Sequence, residues 1–234
     1  GIGSIDSAGS FNNDSGFSIV SYTGTGSAGT IKHGLSTAPK MIIVKDRDNA
    51  SYSWHVYHEK VGNGKTFYLN LTNTPDTNSI YWNDTTPTSS VFSVGTSVTT
   101  NNNTDAFIAY CFAEKQGYSK FSTFVGNANA DGTFVYLGFK PAFFIIKKSS
   151  GGGTNWVMFD NKRIGYNESN YYLRPSGSNA ESTNIPLDIL SNGFKIRTSA
   201  GDVNASGGTY IYMAFAENPF VTSTGNGSIP ACAR

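Results

Sequence analysis

The feature that most restricts what this chain can fold into is its internal repetition. Residues 17–114 resemble residues 121–217 in order, spacing and chemistry. Phe17-Ser18 matches Phe121-Ser122, and His33-Gly34-Leu35 matches Leu137-Gly138-Phe139. Pro39-Lys40-Met41-Ile42-Ile43-Val44-Lys45 matches Pro141-Ala142-Phe143-Phe144-Ile145-Ile146-Lys147. Trp54 answers to Trp156, Tyr57 to Phe159 and Phe92 to Phe194. Phe112-Ala113-Glu114 returns as Phe215-Ala216-Glu217. The offset is 104 residues at the start, 102 through the middle and 103 at the end. A period near 100 exceeds the roughly 20–50 residues of solenoid and propeller repeats and suits a β-sandwich domain.

The expected fold is therefore all-β, with two tandem, homologous, jelly-roll-like β-sandwich units. The expected boundaries are an N-terminal connector over 1–15, repeat 1 over 16–116, repeat 2 over 117–220 and a C-terminal arm over 221–234. Short apolar runs separated by Gly, Asn, Pro and Thr predict strands near 17–23, 40–46, 52–58, 65–71, 78–82, 90–95 and 104–113. In the second half they fall near 121–126, 133–137, 142–148, 155–160, 170–174, 186–190, 192–198 and 208–216. No window keeps a helical period between caps.

The last strand of each repeat is apolar on both faces. Ile108, Tyr110 and Phe112 oppose Phe107, Ala109 and Cys111, while Ile211, Met213 and Phe215 oppose Tyr210, Tyr212 and Ala214. One face fills the sandwich, and the other calls for a cover, either the sister unit or a neighbouring subunit.

Charged residues are only 14% of the chain, against the ~25% usual in soluble domains. Gly, Ser, Thr and Asn replace them, a surface that suits extracellular and virion β proteins. The net charge of +1 gives no field for nucleic acid, and no apolar run is long enough to insert in a membrane. The first methionine is Met41, so the chain is expected to be processed or one piece of a longer polypeptide. Cys111 and Cys232 are expected as free thiols rather than as a disulfide.

Catalytic and metal constellations are not expected, and no cofactor is called for. His55 and His58 fall on opposite strand faces and read as surface or partly buried. Asp46-Arg47-Asp48-Asn49 reads as a hairpin turn rather than a calcium loop. Gly151-Gly152-Gly153 reads as a flexible hairpin tip. Glu114 and Glu217 repeat within one pattern, which favours a structural role over paired acid and base. Trp54 and Trp156 read as sandwich core. Tyr81, Trp82, Tyr171 and Tyr172 lie beside polar loops and are the candidate binding residues, as exposed stacking surfaces for sugar or protein.

Several of these motifs carry a resemblance. Gly16-Phe17-Ser18-Ile19-Val20-Ser21-Tyr22-Thr23-Gly24, Ala109-Tyr110-Cys111-Phe112-Ala113-Glu114, Gly117-Tyr118-Ser119-Lys120-Phe121 and the stretch from Tyr210 to Phe220, with the two repeated segments above, resemble an uncharacterised domain in virion proteins of marine bacteriophages, often C-terminal in tail-fibre-like chains. The resemblance implies a virion location and host attachment, by the distal part of a tail fibre or an adhesin. It implies as partners other virion subunits, a host-surface glycan or an outer-membrane protein, and a homo-oligomer such as a trimer. The alternatives are a capsid-decoration or tail-assembly protein and, behind both, a polysaccharide depolymerase.

Overall fold

A computed structural model describes residues 2–221 and 230–231. The fold is all-β. The chain divides into two compact units, one built on the chain up to Asn70 with Pro75–Glu114, the other on Leu71–Thr74 with the chain from Lys115 onward.

The first unit contains β1 (Ser7–Asn12), β2 (Phe17–Thr23), β3 (Gly29–Lys32), β4 (Met41–Asp46), β5 (His55–His58), β6 (Lys65–Tyr68), β7 (Asp76–Thr77), β8 (Val91–Val94) and β9 (Ala106–Phe112), with one-turn helices α1 (Ser79–Trp82) and α2 (Val98–Asn101). One sheet has the order β1-β2-β9-β4-β5-β6-β7, and β3 pairs with β8 in a second. Val20, Tyr22, Ile42, Val44, Phe107, Ala109 and Cys111 of the large sheet meet Ile31, Phe92 and Val94 of the small one in a single core. These are alternate residues of each strand, as the pleat requires.

The second unit contains β10 (Ser119–Val125), β11 (Phe134–Tyr136), β12 (Pro141–Lys148), β13 (Trp156–Asp160), β14 (Leu187–Leu190), β15 (Gly193–Ile196) and β16 (Thr209–Ala216), with the one-turn helix α3 (Gly201–Asn204). Its sheets have the orders β10-β16-β12-β13 and β11-β15-β14. Phe124, Phe144, Ile146, Phe159, Tyr210 and Tyr212 pack on Val135, Leu187, Ile189 and Phe194 between them. The two-residue strands β17 (Phe220–Val221) and β18 (Pro230–Ala231) pair with each other. Among the described residues, every pairing between these named strands is antiparallel.

The order β2-β9-β4-β5 of the first unit has the same pattern as β10-β16-β12-β13 of the second. Ile43 faces Tyr110 as Ile145 faces Met213, and Ile31 faces Phe92 as Val135 faces Phe194. The first strand corrects the sequence match by two residues. Phe17 pairs with Phe112, and the residue paired with Phe215 is Ser119, so Phe17 stands where the second unit has Ser119. Tyr22 stacks on Phe107 at 5.2 Å, and Phe124 on Tyr210 at 5.0 Å, both 12° from parallel. Phe17 and Phe121 are two apart on one strand face, which is why their chemistry matched.

Other expectations are also corrected. Residues 7–12, read as connector, form an edge strand held to β2 by main-chain bonds, and Ile5 enters the core. Residues 78–82, read as strand, form α1. Asn78 caps it by accepting from Ile80 N, and Asn83 closes it at φ 52°. Residues 170–174 form only isolated bridges, at Tyr172 and Leu173. Trp54 and Trp156 belong to neither core. Trp156 is buried beside Lys147 on the face opposite, and Trp54 is half-buried and stacks on Tyr110 at 6.3 Å. Ile145, Ile211, Met213 and Phe121 on that same face of the second unit are buried although outside its core. Gly153 is not a free tip, because a Cβ there would lie 2.5 Å from Thr72 O. Cys111 is a buried free thiol, and Cys232 lies outside the described residues.

Candidate functional site

The four aromatics singled out from sequence are not exposed platforms. Trp82 and Tyr172 are buried, Tyr81 is nearly so, and Tyr171 is half-buried. The helical turn of α1 rotates Tyr81 and Trp82 inward, where a strand would have alternated them. Tyr81 and Tyr68 both donate to Asp76 Oδ2, at 2.7 and 3.0 Å. His55 packs on the Tyr81 ring at 5.0 Å, and burial pulls its imidazole down to about 4. Tyr172 donates to Asn184 Oδ1 and lies under the Arg174 guanidinium, 5.0 Å from its ring centre. Tyr81 and Tyr172 are committed to internal partners, and each pair sits in its own unit.

All three histidines are fully buried, deeper than the surface or partly buried positions expected. His33 Nδ1 accepts from Leu35 N, so Nε2 carries the proton and donates to Thr88 O at 3.1 Å. No group of three or more metal-binding side chains occurs among the described residues. Asp46-Arg47-Asp48-Asn49 is a turn, with Asp46 Oδ1 accepting from Asp48 N and Asn49 N at 2.8 Å.

The second unit instead offers two features that sequence reasoning passed over. The first is an exposed aromatic shelf. Phe134 and Tyr136 alternate outward from β11 around core-facing Val135. Tyr136 is 60% exposed and Phe134 41%. Tyr136 faces Gly193 across the strand pair, so no side chain crosses its flank there. Lys120 sits over its ring, 5.2 Å from the centre. The matching outward positions of β3 in the first unit carry Thr30 and Lys32.

The second feature is a cleft roofed by the loop between β13 and β14, of about 120 Å³ and open to solvent. That is below the roughly 300–1,000 Å³ of pockets for drug-sized ligands, so it suits only a small group. Asn161 N donates to Ala142 O at one end of the loop, and Ser169 exchanges main-chain bonds with Leu187 at the other. Asn167 clamps the backbone of Ile189 through both amide atoms at 2.9 Å. Asp160 holds the turn by accepting from Lys162 N and Arg163 N, and Arg163 pairs with Asp160 and Glu181. Beneath this frame, Asn161 Oδ1, Asn161 Nδ2 and Ser169 Oγ are buried with no hydrogen-bond partner among the described residues. Tyr166 stands at the mouth, 71% exposed. At the rim, Lys140 and Lys162 both pair with Glu217, at 2.8 and 3.1 Å, and hold its carboxyl below the usual range. Glu217 is therefore a clasped, ionised group.

The stretch from Asn161 to Tyr172 is rich in Asn and Tyr, but nothing in it marks which polar atoms packing leaves unpaired. Reading it by aromatics alone selected the two tyrosines that fold inward.

A family model described as Domain of unknown function (DUF7483) matches residues 1–219. No curated protein and no solved structure matches the chain.

Proposed function

The chain belongs to the family described as Domain of unknown function (DUF7483), and from that premise we propose that it is a phage virion surface protein, the distal part of a tail fibre or an adhesin that contacts the host surface. The observation that carries this reading is the shelf of Phe134 and Tyr136. Exposed aromatic side chains forgo burial and supply large, rigid contact area, so they concentrate at recognition surfaces. The shelf appears in one unit, while the matching strand of the other carries Thr30 and Lys32. The polar, weakly charged surface and the virion-protein motifs support the same reading. The shared strand order and matched registers support descent of both units from one ancestral unit.

In this reading the rigid sandwich presents the shelf, and copies of the chain in an oligomer turn a weak single contact into firm attachment. Purified protein should bind host cells and block infection. Phe134→Ser with Tyr136→Ser should reduce cell binding at least tenfold while leaving the thermal midpoint within a few degrees, because both side chains face solvent. Wild-type protein that fails to bind cells at saturating concentration would overturn the reading.

A further inference from the structure

We infer that the cleft beneath the loop between β13 and β14 binds a single neutral sugar ring. The inference stands on groups separate from the shelf, so either can fail alone.

Three buried polar atoms without a partner at one place, Asn161 Oδ1, Asn161 Nδ2 and Ser169 Oγ, are unusual. A buried unpaired polar group costs about 1–3 kcal/mol, so native folds leave few of them. Ser169 is 2% exposed, and both residues line the cleft. The set combines a donor, an acceptor and a hydroxyl that can be either. A carboxylate or phosphate would satisfy the donors and leave Asn161 Oδ1 unpaired. An ammonium group would do the reverse. A hydroxyl gives and accepts at once, so neighbouring hydroxyls on a ring complete all three.

The charges at the rim agree. Lys140 is engaged by Glu217 at 2.8 Å, and the same carboxylate takes Lys162. Lys140, the cation in the cleft lining, is therefore already paired with a carboxylate. Its apolar surfaces suit the C–H face of a sugar, with Ile164 and Ile189 in the wall and the Tyr166 ring at the mouth. Gly165, at φ +76°, has nothing within 4 Å of where its Cβ would be, which leaves the entrance open. At about 120 Å³ and open to solvent, the cleft takes one edge of a single ring and not a polysaccharide chain.

The test is ligand-observed NMR on the full chain with D-glucose, D-galactose, D-mannose and N-acetyl-D-glucosamine, and with D-glucuronate as the acidic arm. At least one neutral sugar should show saturation transfer with millimolar affinity, and glucuronate should be at least fivefold weaker. Tyr166→Ala, at an exposed position, should weaken binding about tenfold with an unchanged thermal midpoint. Asn161→Leu should abolish it, while Tyr136→Ser should leave it intact. The inference is overturned if no neutral sugar binds at 50-fold excess, or if glucuronate binds as well as the neutral ligands. It is also overturned if Asn161→Leu raises the thermal midpoint while sugar binding persists, since the unpaired atoms would then be only a packing defect.

Discussion

Asn101 and Asn204 do the same work in the two units, and neither stood out in the sequence. Asn101 Oδ1 accepts from Thr25 N, and its amide donates to Ser27 O and Gly95 O. Asn204 Oδ1 accepts from Asn127 N, and its amide donates to Asn129 O and Thr198 O. Both side chains are fully buried at the ends of α2 and α3. Each ties the loop after β2 or β10 to the segment before its helix. Gly24 and Gly126 allow the approach, because a Cβ would lie 2.0 Å from Asn102 O and 2.4 Å from Ala205 O. Removing either amide strands several buried backbone groups at about 1–3 kcal/mol each. Asn101→Ala and Asn204→Ala should therefore each cost roughly 3–5 kcal/mol, measurable by urea unfolding. Asn→Asp should fare little better, because it keeps the acceptor and loses both donors.

His55 sets a pH limit from the same scale. Its ring is buried among Tyr68, Tyr81 and Thr66, with Asp76 raising its affinity for a proton and Lys45 lowering it, and burial dominates. Above pH 6.5 the imidazole is neutral in both folded and unfolded chains. Between about 6.5 and about 4 the unfolded chain takes a proton that the folded one refuses, so stability falls with pH. The loss is at most roughly 3 kcal/mol and is complete below the folded value. Burial lowers His33 too, which adds to the same acid limb. His55→Phe should flatten stability between pH 6.5 and 4 relative to wild type, read as the urea midpoint across that range.

At the level of elements, strands were legible where burial imposes alternation. In β9 the pattern of buried and half-buried residues alternates without a break, and the core face is Phe107, Ala109 and Cys111. The runs that became β4 and β12 were legible from their β-branched and aromatic content alone. β1 was not, since Ser-Ala-Gly-Ser-Phe-Asn has no buried face and pairs through main-chain bonds that every sequence can make. α1 was misread for a related reason. Its four residues are too few to show a helical period, and the information lies in flanking Asn78 and Asn83. The cleft was illegible because it depends on which polar atoms lack partners, a property of packing. The shelf was legible in principle, as Phe134-Val135-Tyr136 alternates about a buried valine. Deciding which face was the core required the partner strand β15.

At the scale of the whole molecule, the two cores share no residue. Every member of one comes from the first unit and every member of the other from the second. Phe92 meets Tyr22 edge-on at 6.3 Å in the first, and Phe194 stacks on Phe144 at 4.4 Å in the second. They occupy matching places, opposite Ile31 and Val135. Truncating a buried phenylalanine to alanine costs about 3–5 kcal/mol, through lost transfer energy and the cavity left behind. If each core governs its own unit, that cost should stay local. Hydrogen exchange on Phe92→Ala should show faster exchange in β2, β4 and β9 and unchanged protection in β10, β12 and β16. Phe194→Ala should show the reverse, and sugar binding at the cleft should suffer only from the second. Equal loss of protection in both sets of strands, from either variant, would mean that the two cores unfold as one cooperative unit.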